Sequence, residues 1–177
     1  MNKKRTSAEL QRPDIETYLG QDKFSIVVLL DNIRSLSNVG SIFRTSDAFK
    51  VEEVILCGIT GTPPHREIQR TALGATESVA WKHCPDAKEE VDRLRIKGYR
   101  IFSLEQCEAH MAPHEVKVTA KDKVCLILGN EVEGVSQDLV DLSDEVIEIP
   151  QSGTKHSLNV TVAAGIALWE LYKKFGE

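Results

Sequence analysis

Ser25-Ile26-Val27-Val28-Leu29-Leu30 places five apolar residues in a row with no charge among them, and Ser37 to Phe49 follows after a short polar link. The first stretch reads as a buried strand. The second has helical periodicity through Val39, Ile42 and Phe43, with Ala48 and Phe49 at its end. Outward from this strand–helix pair the same alternation repeats. Glu53 to Cys57 is the next strand, stopped by Gly58 and the turn cluster Gly61-Thr62-Pro63-Pro64. Ala87 to Lys97 reads as a surface helix with Gly98 at its C′ position. Strands are expected at Arg100 to Leu104, at Lys123 to Leu128 closed by Gly129, and at Glu145 to Ile149, which stops at Pro150. Leu158 to Phe175 is a long, mostly apolar helix, so little of it is expected to face water. Strands alternating with helices give an α/β fold with a mainly parallel sheet flanked by helices.

At 177 residues the chain is expected to hold one domain, residues 23–177, preceded by a polar N-terminal arm, residues 1–22, that Pro13 interrupts. No apolar run approaches the ~20 residues of a membrane-spanning helix, and no apolar stretch follows the charged Met1 to Arg5. A cytoplasmic protein with no membrane contact is therefore expected. Cys57, Cys84, Cys107 and Cys125 are widely spaced and form no Cys-x-x-Cys pair, so they imply no disulfide framework. Cys107, His110 and His114 lack a fourth ligand; they read as a surface turn, and no metal is expected. The net charge of −5 neither supports nor excludes a nucleic-acid partner, because phosphate binding depends on local patches. Such patches exist at Lys3-Lys4-Arg5, Arg34, Arg44, His65-Arg66, Arg70 and Lys155-His156.

The first strand-to-helix junction carries neither a Gly-x-Gly-x-x-Gly fingerprint nor a Gly-Lys-[Ser/Thr] loop. Any ligand must be held some other way, and three strand-end stretches are the candidates. In the first, Leu30 to Thr45, Asn38 or Ser37 is expected to cap the helix. Gly40 in its first turn costs up to ~1 kcal/mol relative to alanine, which suggests that something approaches the backbone closely. Arg44 lies a turn further on. The plainer reading is a capping asparagine and an arginine on a wet face. In the second, Cys125 to Ser136, an apolar strand runs into a loop bounded by Gly129 and Gly134 with Glu131 between them. Ligands of open α/β sheets sit beyond the carboxyl ends of strands, so the loop is a plausible pocket wall. The alternative is an acidic turn capping a helix near Ser136. In the third, Ile149 to Val160, Pro150 and Gly153 enforce a loop, and Ser157 and Asn159 are both N-cap types, one more than a single helix start needs. The surplus group is free for other work, and the helix N-terminus offers unpaired amides.

In this order and at these strand ends, the three stretches closely resemble the motifs of the SpoU (TrmH-like) branch of the SPOUT methyltransferases. Asn38, Gly40 and Arg44 match Asn-x-Gly-x-x-x-Arg; Gly129, Glu131 and Gly134 match Gly-x-Glu-x-x-Gly; Ile149-Pro150 and Ser157-Leu158-Asn159-Val160 match the third. Thr71 to Ala75 and Ser103 to Gln106 look like intervening family segments, so the resemblance spans about residues 24–175.

The resemblance implies a C-terminal trefoil knot, which general fold rules would not suggest. It implies S-adenosylmethionine as cofactor, lined by Leu104, Gly129, Ile149, Ser157 and Leu158, and a homodimer with its catalytic groups near the subunit contact. The reaction it implies is methylation of a ribose 2′-hydroxyl in RNA. Arg44 matches the family's activating arginine. Because arginine stays protonated, a bidentate phosphate clamp that also stabilises a developing alkoxide suits it better than a literal base. Asn38, Glu131, Ser157 and Asn159 would shape the site and position substrate. Residues 1–22 are too short for the extra RNA-binding domain of some rRNA-directed relatives, and no long basic extension follows the domain, which favours tRNA over rRNA. A non-catalytic RNA-binding protein on the same scaffold is the rival, and the intact motifs argue against it.

Overall fold

A computed structural model of the chain describes residues 2–6 and 8–176; Met1 and Ser7 of the arm, and Glu177, lie outside the described residues. Six strands form a single sheet: β1 (Phe24–Asp31), β2 (Val51–Cys57), β3 (Ala80–Cys84), β4 (Arg100–Leu104), β5 (Val124–Gly129) and β6 (Glu145–Ile147). Their order across the sheet is β3-β2-β1-β5-β4-β6 and every pairing is parallel. The parallel sheet expected from the alternation is therefore present. Its centre is buried on both faces, which is why β1 and β5 are uninterrupted apolar runs instead of alternating ones. Ile26, Val28, Leu30, Val124, Leu126 and Leu128 face one core; Val27, Leu29, Cys125 and Ile127 face the other.

Among the described residues, seven α-helices connect and cover these strands: α1 (Ile15–Leu19), α2 (Leu36–Ala48), α3 (Arg66–Ala72), α4 (Ala75–Ser78), α5 (Ala87–Ile96), α6 (Gln137–Asp141) and α7 (Val160–Phe175). On the first face, Val39, Ile42 and Phe43 of α2, Ile68 of α3 and Ala164, Leu168 and Leu171 of α7 fill the larger core. On the second, Val91 and Leu94 of α5 and Leu139 of α6 fill the smaller. Gly40 sits where α2 crosses α3: a Cβ there would run into the side chain of Thr71 and the backbone carbonyl of Ile68. The close approach that Gly40 suggested is thus helix against helix. The arm is held at α1, where the Tyr18 hydroxyl donates to the Asp47 carbonyl at 2.8 Å.

Several boundaries and roles differ from the sequence reading. Ser35, not Asn38 or Ser37, caps α2, accepting from the Asn38 amide at 3.3 Å. β6 ends at Ile147, because Glu148 turns to donate its amide to the Met111 carbonyl and Pro150 has no N–H to offer. The last helix starts at Val160, with Asn159 as its cap. That helix does face water: Val162, Ile166 and Trp169 are 51%, 38% and 47% exposed along one stripe. Its helical spacing is apolar nearly all round, yet among the described residues only the Trp169 end of this stripe is packed, against Phe49 and Tyr172, and all three side chains of the stripe stay partly open to water.

Candidate functional site

β2 lies on one side of β1 and β5 on the other, so chain direction diverges at β1 and leaves a crevice at the carboxyl ends of β1 and β5. The three candidate stretches converge there. After β5, a tight loop folds back on itself through the Asn130–Gly134 bridge. Gly129 is dictated by that fold, since a Cβ on it would collide with the backbone of Gly134 and Val135.

Glu131 projects from this loop onto the start of α2. Its carboxylate accepts from the amides of Arg34 and Ser35, both at 3.1 Å, and from the Asn38 side-chain amide at 2.7 Å. Burial alone would raise the Glu131 pKa, but the bonds from Asn38, Arg34 and Ser35 outweigh it and hold it below its ordinary value. A carboxylate at a helix N-terminus also meets the positive end of the helix dipole. Because ionised Glu131 only accepts, Asn38 must present its NH2 to it, which leaves the Asn38 Oδ1 to accept from Asn159 Nδ2 at 3.4 Å. Asn159 then has its own Oδ1 free to cap α7, accepting from the Thr161 amide at 2.9 Å. One polar relay, Glu131–Asn38–Asn159, thereby joins one residue from each stretch.

A cavity of about 440 Å³ opens beside this relay. Leu104, Gly129, Ile149, Ser157 and Leu158 all line it, together with Glu131 and Asn159. Glu105, Glu131, Glu133 and Glu148 are among the residues that line the cavity, and neither lysine nor arginine is, although the carboxylates of Glu105, Glu131 and Glu148 are engaged with backbone amides, Asn38 and His110. Such a lining suits a ligand with positive charge and an apolar body and is poorly matched to a phosphorylated nucleotide. Among the described residues no group of three or more His, Cys, Asp or Glu is arranged to hold a metal ion, and His110 turns instead to the Cys107 carbonyl and to Glu148.

Arg44 is not brought to this cavity. Six residues beyond Asn38, or about 9 Å along the helix, it is exposed and lines a separate groove of about 1000 Å³ with Arg12, Lys50 and Tyr172. Within the single chain, the residues matched to the cofactor and Asn38, Glu131, Ser157 and Asn159 gather at one end of α2, with Arg44 facing elsewhere.

Two structural anchors of the site escaped the sequence reading. Buried Asp31, at the end of β1, accepts from the Ser136 amide at 2.9 Å and fixes the start of α6. Glu105, after β4, accepts from the Val135 amide at 2.8 Å. Both are carboxylates at the carboxyl end of an apolar strand, and that position is the one signal that could have pointed to them.

Comparison with known proteins gives a consistent result. The family profile described as "SpoU rRNA Methylase family" matches residues 25–169. An uncharacterized tRNA/rRNA methyltransferase of Borreliella burgdorferi is 30% identical over 160 residues, 90% of this chain and 68% of that protein. The A. aeolicus TrmH/SpoU tRNA modifying enzyme superposes with a TM-score of 0.81 at 26% identity, over 90% of this chain and 80% of that one. The AdoMet-bound rRNA methyltransferase from Sinorhizobium meliloti superposes with a TM-score of 0.79 at 26% identity, over 86% of this chain and 57% of that one. The chain spans 60 to 68% of the length of curated relatives of this kind.

Proposed function

The chain belongs to the SpoU rRNA methylase family, and on that footing we propose that it is an S-adenosylmethionine-dependent RNA methyltransferase acting on a ribose 2′-hydroxyl, with tRNA preferred to rRNA. The observation that carries this reading is the cavity itself. Its apolar walls (Leu104, Ile149, Leu158) suit an adenosine, the acidic character of a lining with four glutamates and no lysine or arginine suits a ligand bearing sulfonium and ammonium charges, and its volume lies in the range of small-molecule sites. Gly129 brings the end of β5 into the cavity wall, and the Ser157 hydroxyl offers the ligand a hydrogen bond. S-adenosylmethionine supplies, when bound, a methyl group on a cationic sulfur.

The chain's own residues then have separable tasks. Glu131, Asn38 and Asn159 lock the β1–α2, β5–α6 and β6–α7 loops into one frame, so the cavity wall and the start of α2 keep a fixed relation. That is alignment, worth several orders of magnitude when a nucleophile must meet a carbon in line. Arg44 would clamp the phosphate next to the acceptor ribose with its planar fork and stabilise the oxyanion that forms as the 2′-hydroxyl loses its proton.

The reading includes a homodimer. Arg44 lies away from its own chain's cavity, and the Val162–Ile166–Trp169 stripe on α7 is apolar and partly exposed. A second copy covering that stripe would supply Arg44 to the first copy's cavity. It also includes a C-terminal trefoil knot: the chain leaves β5, passes β4 to reach the sheet edge at β6, and returns alongside the β4 loop to start α7 against α2. The tRNA preference draws support from the likeness to the A. aeolicus tRNA modifying enzyme. Incubating purified chain and methyl-labelled S-adenosylmethionine with unmodified tRNA and rRNA tests the proposal. Label in tRNA is expected; label in rRNA alone would reverse the preference, and no label in either would leave the RNA-binding reading.

A further inference from the structure

The loop between β6 and α7 is the least supported wall of the cavity. Residues 150–159 are all exposed, yet Gln151, His156, Ser157, Leu158 and Asn159 line the cavity. Among the described residues, a single hydrogen bond reaches residues 150–158: Gln106 Nε2 donates to the His156 carbonyl at 2.8 Å. Gln106 is itself held. Its amide donates to Glu105 Oε1 at 2.8 Å, the other oxygen of the same carboxylate accepts from the Val135 amide, and the Glu105 amide donates to the Ile147 carbonyl at 3.1 Å. The adjacent side chains of Glu105 and Gln106 therefore reach in two directions from the end of β4. One pins the β5–α6 loop and the other pins the β6–α7 loop, the two walls that face each other across the cavity. Gly134 completes the fit, because any Cβ there would strike the Glu105 carboxylate and its backbone is left-handed at φ 72°.

We propose that Gln106 is a positioning residue for the methyl donor: it holds the 150–158 loop closed over the cavity, with Glu105 as its brace. The inference rests on the cofactor reading above. Between the end of β6 and the Asn159 anchor the loop has this one hydrogen-bonded tie; without it residues 150–158 sample open arrangements, and a ligand that needs the closed one binds more weakly by the fraction lost. One neutral side-chain-to-carbonyl hydrogen bond corresponds to a factor of about 3 to 10 in affinity.

The test uses the whole chain in three forms: wild type, Gln106→Ala, and Gln106→Met, which keeps the length of the side chain without adding charge and has no N–H to donate. Each is titrated calorimetrically with S-adenosylmethionine and, without it, digested briefly with trypsin to read cleavage after Lys155, next to the pinned carbonyl. Expected are a Kd raised about 3- to 10-fold in both variants at unchanged stoichiometry, and faster cleavage at Lys155. Unchanged Kd in both variants, or a fall in stoichiometry at unchanged Kd, would overturn the positioning role and leave Gln106 merely structural. Unchanged cleavage would overturn the tie itself. Failure of wild type to bind the cofactor would instead sink the methyl-donor reading, and the cleavage rates would still decide whether Gln106 closes the loop.

Discussion

Asn38 Nδ2 lies 2.7 Å from Glu131 Oε1, a bond that joins residues 93 positions apart and ties the first helix of the domain to the loop after β5. If the two act as one unit, removing either costs nearly as much as removing both. Asn38→Ala and Glu131→Gln should each destabilise the fold by about 1 to 2 kcal/mol, at the low end for charged hydrogen bonds because the Glu131 side chain stays partly solvated. The double variant should fall short of the sum by at least ~0.5 kcal/mol in a denaturation cycle. The sign with pH follows from Glu131 ionising more readily in the folded chain. Its contribution is full above the unfolded carboxylate value of about 4.3 and fades as pH falls through the lower folded value. The stability gap between wild type and Glu131→Gln should therefore be widest near neutral pH and close under acid.

Two helix-interior glycines should respond oppositely to alanine. Gly40 is pressed against the α3 backbone, whereas a Cβ on Gly165 of α7 would meet nothing within 4 Å. Gly165→Ala should stabilise by up to ~1 kcal/mol through helix propensity alone. Gly40→Ala should destabilise by about 1 to 3 kcal/mol, since two helices must move apart. Thermal denaturation reads both, at roughly 2 to 4 °C per kcal/mol for a chain of this size.

The contrast between these glycines marks what a sequence carries and what it withholds. β1 and β5 were legible because each carries an uninterrupted apolar run bounded by polar or glycine residues. β3 was not: Ala80-Trp81-Lys82-His83-Cys84 is an edge strand, half exposed, with no run or clean alternation to mark it. The cavity residues were legible as motifs at strand ends. Asn38 was misread as a cap because a capping residue type says nothing of a carboxylate 93 positions away, and Ser35 does the capping. The ties made by Asp31, Glu105 and Gln106 depend on contacts between elements distant in the chain, which no local pattern encodes.

Arg44 is predicted to separate chemistry from binding. Because it lies outside the cavity, Arg44→Ala should keep the thermal midpoint and the affinity for S-adenosylmethionine while methyl transfer falls by at least ~10²-fold. Arg44→Lys should recover little, since a point charge cannot replace a planar fork. Normal transfer by Arg44→Ala would remove it from the site.

The exposed stripe on α7 carries the expected self-association. Sedimentation of wild type at micromolar concentration should give a dimer, and Ile166→Glu, placed mid-stripe at a 38% exposed position, should give a folded monomer. A wild-type monomer would leave Arg44 without a route to the cavity.

The chemistry of the product decides whether this chain methylates a ribose 2′-hydroxyl. RNA from cells lacking this chain, treated with purified protein and S-adenosylmethionine, can be digested to nucleosides for mass spectrometry and, in parallel, hydrolysed with alkali. A methyl group on ribose and a new alkali-resistant dinucleotide are expected, because a methylated 2′-oxygen cannot attack its neighbouring phosphate. A methyl group found on a base, with every linkage still cleaved by alkali, would contradict a ribose 2′-hydroxyl as the acceptor.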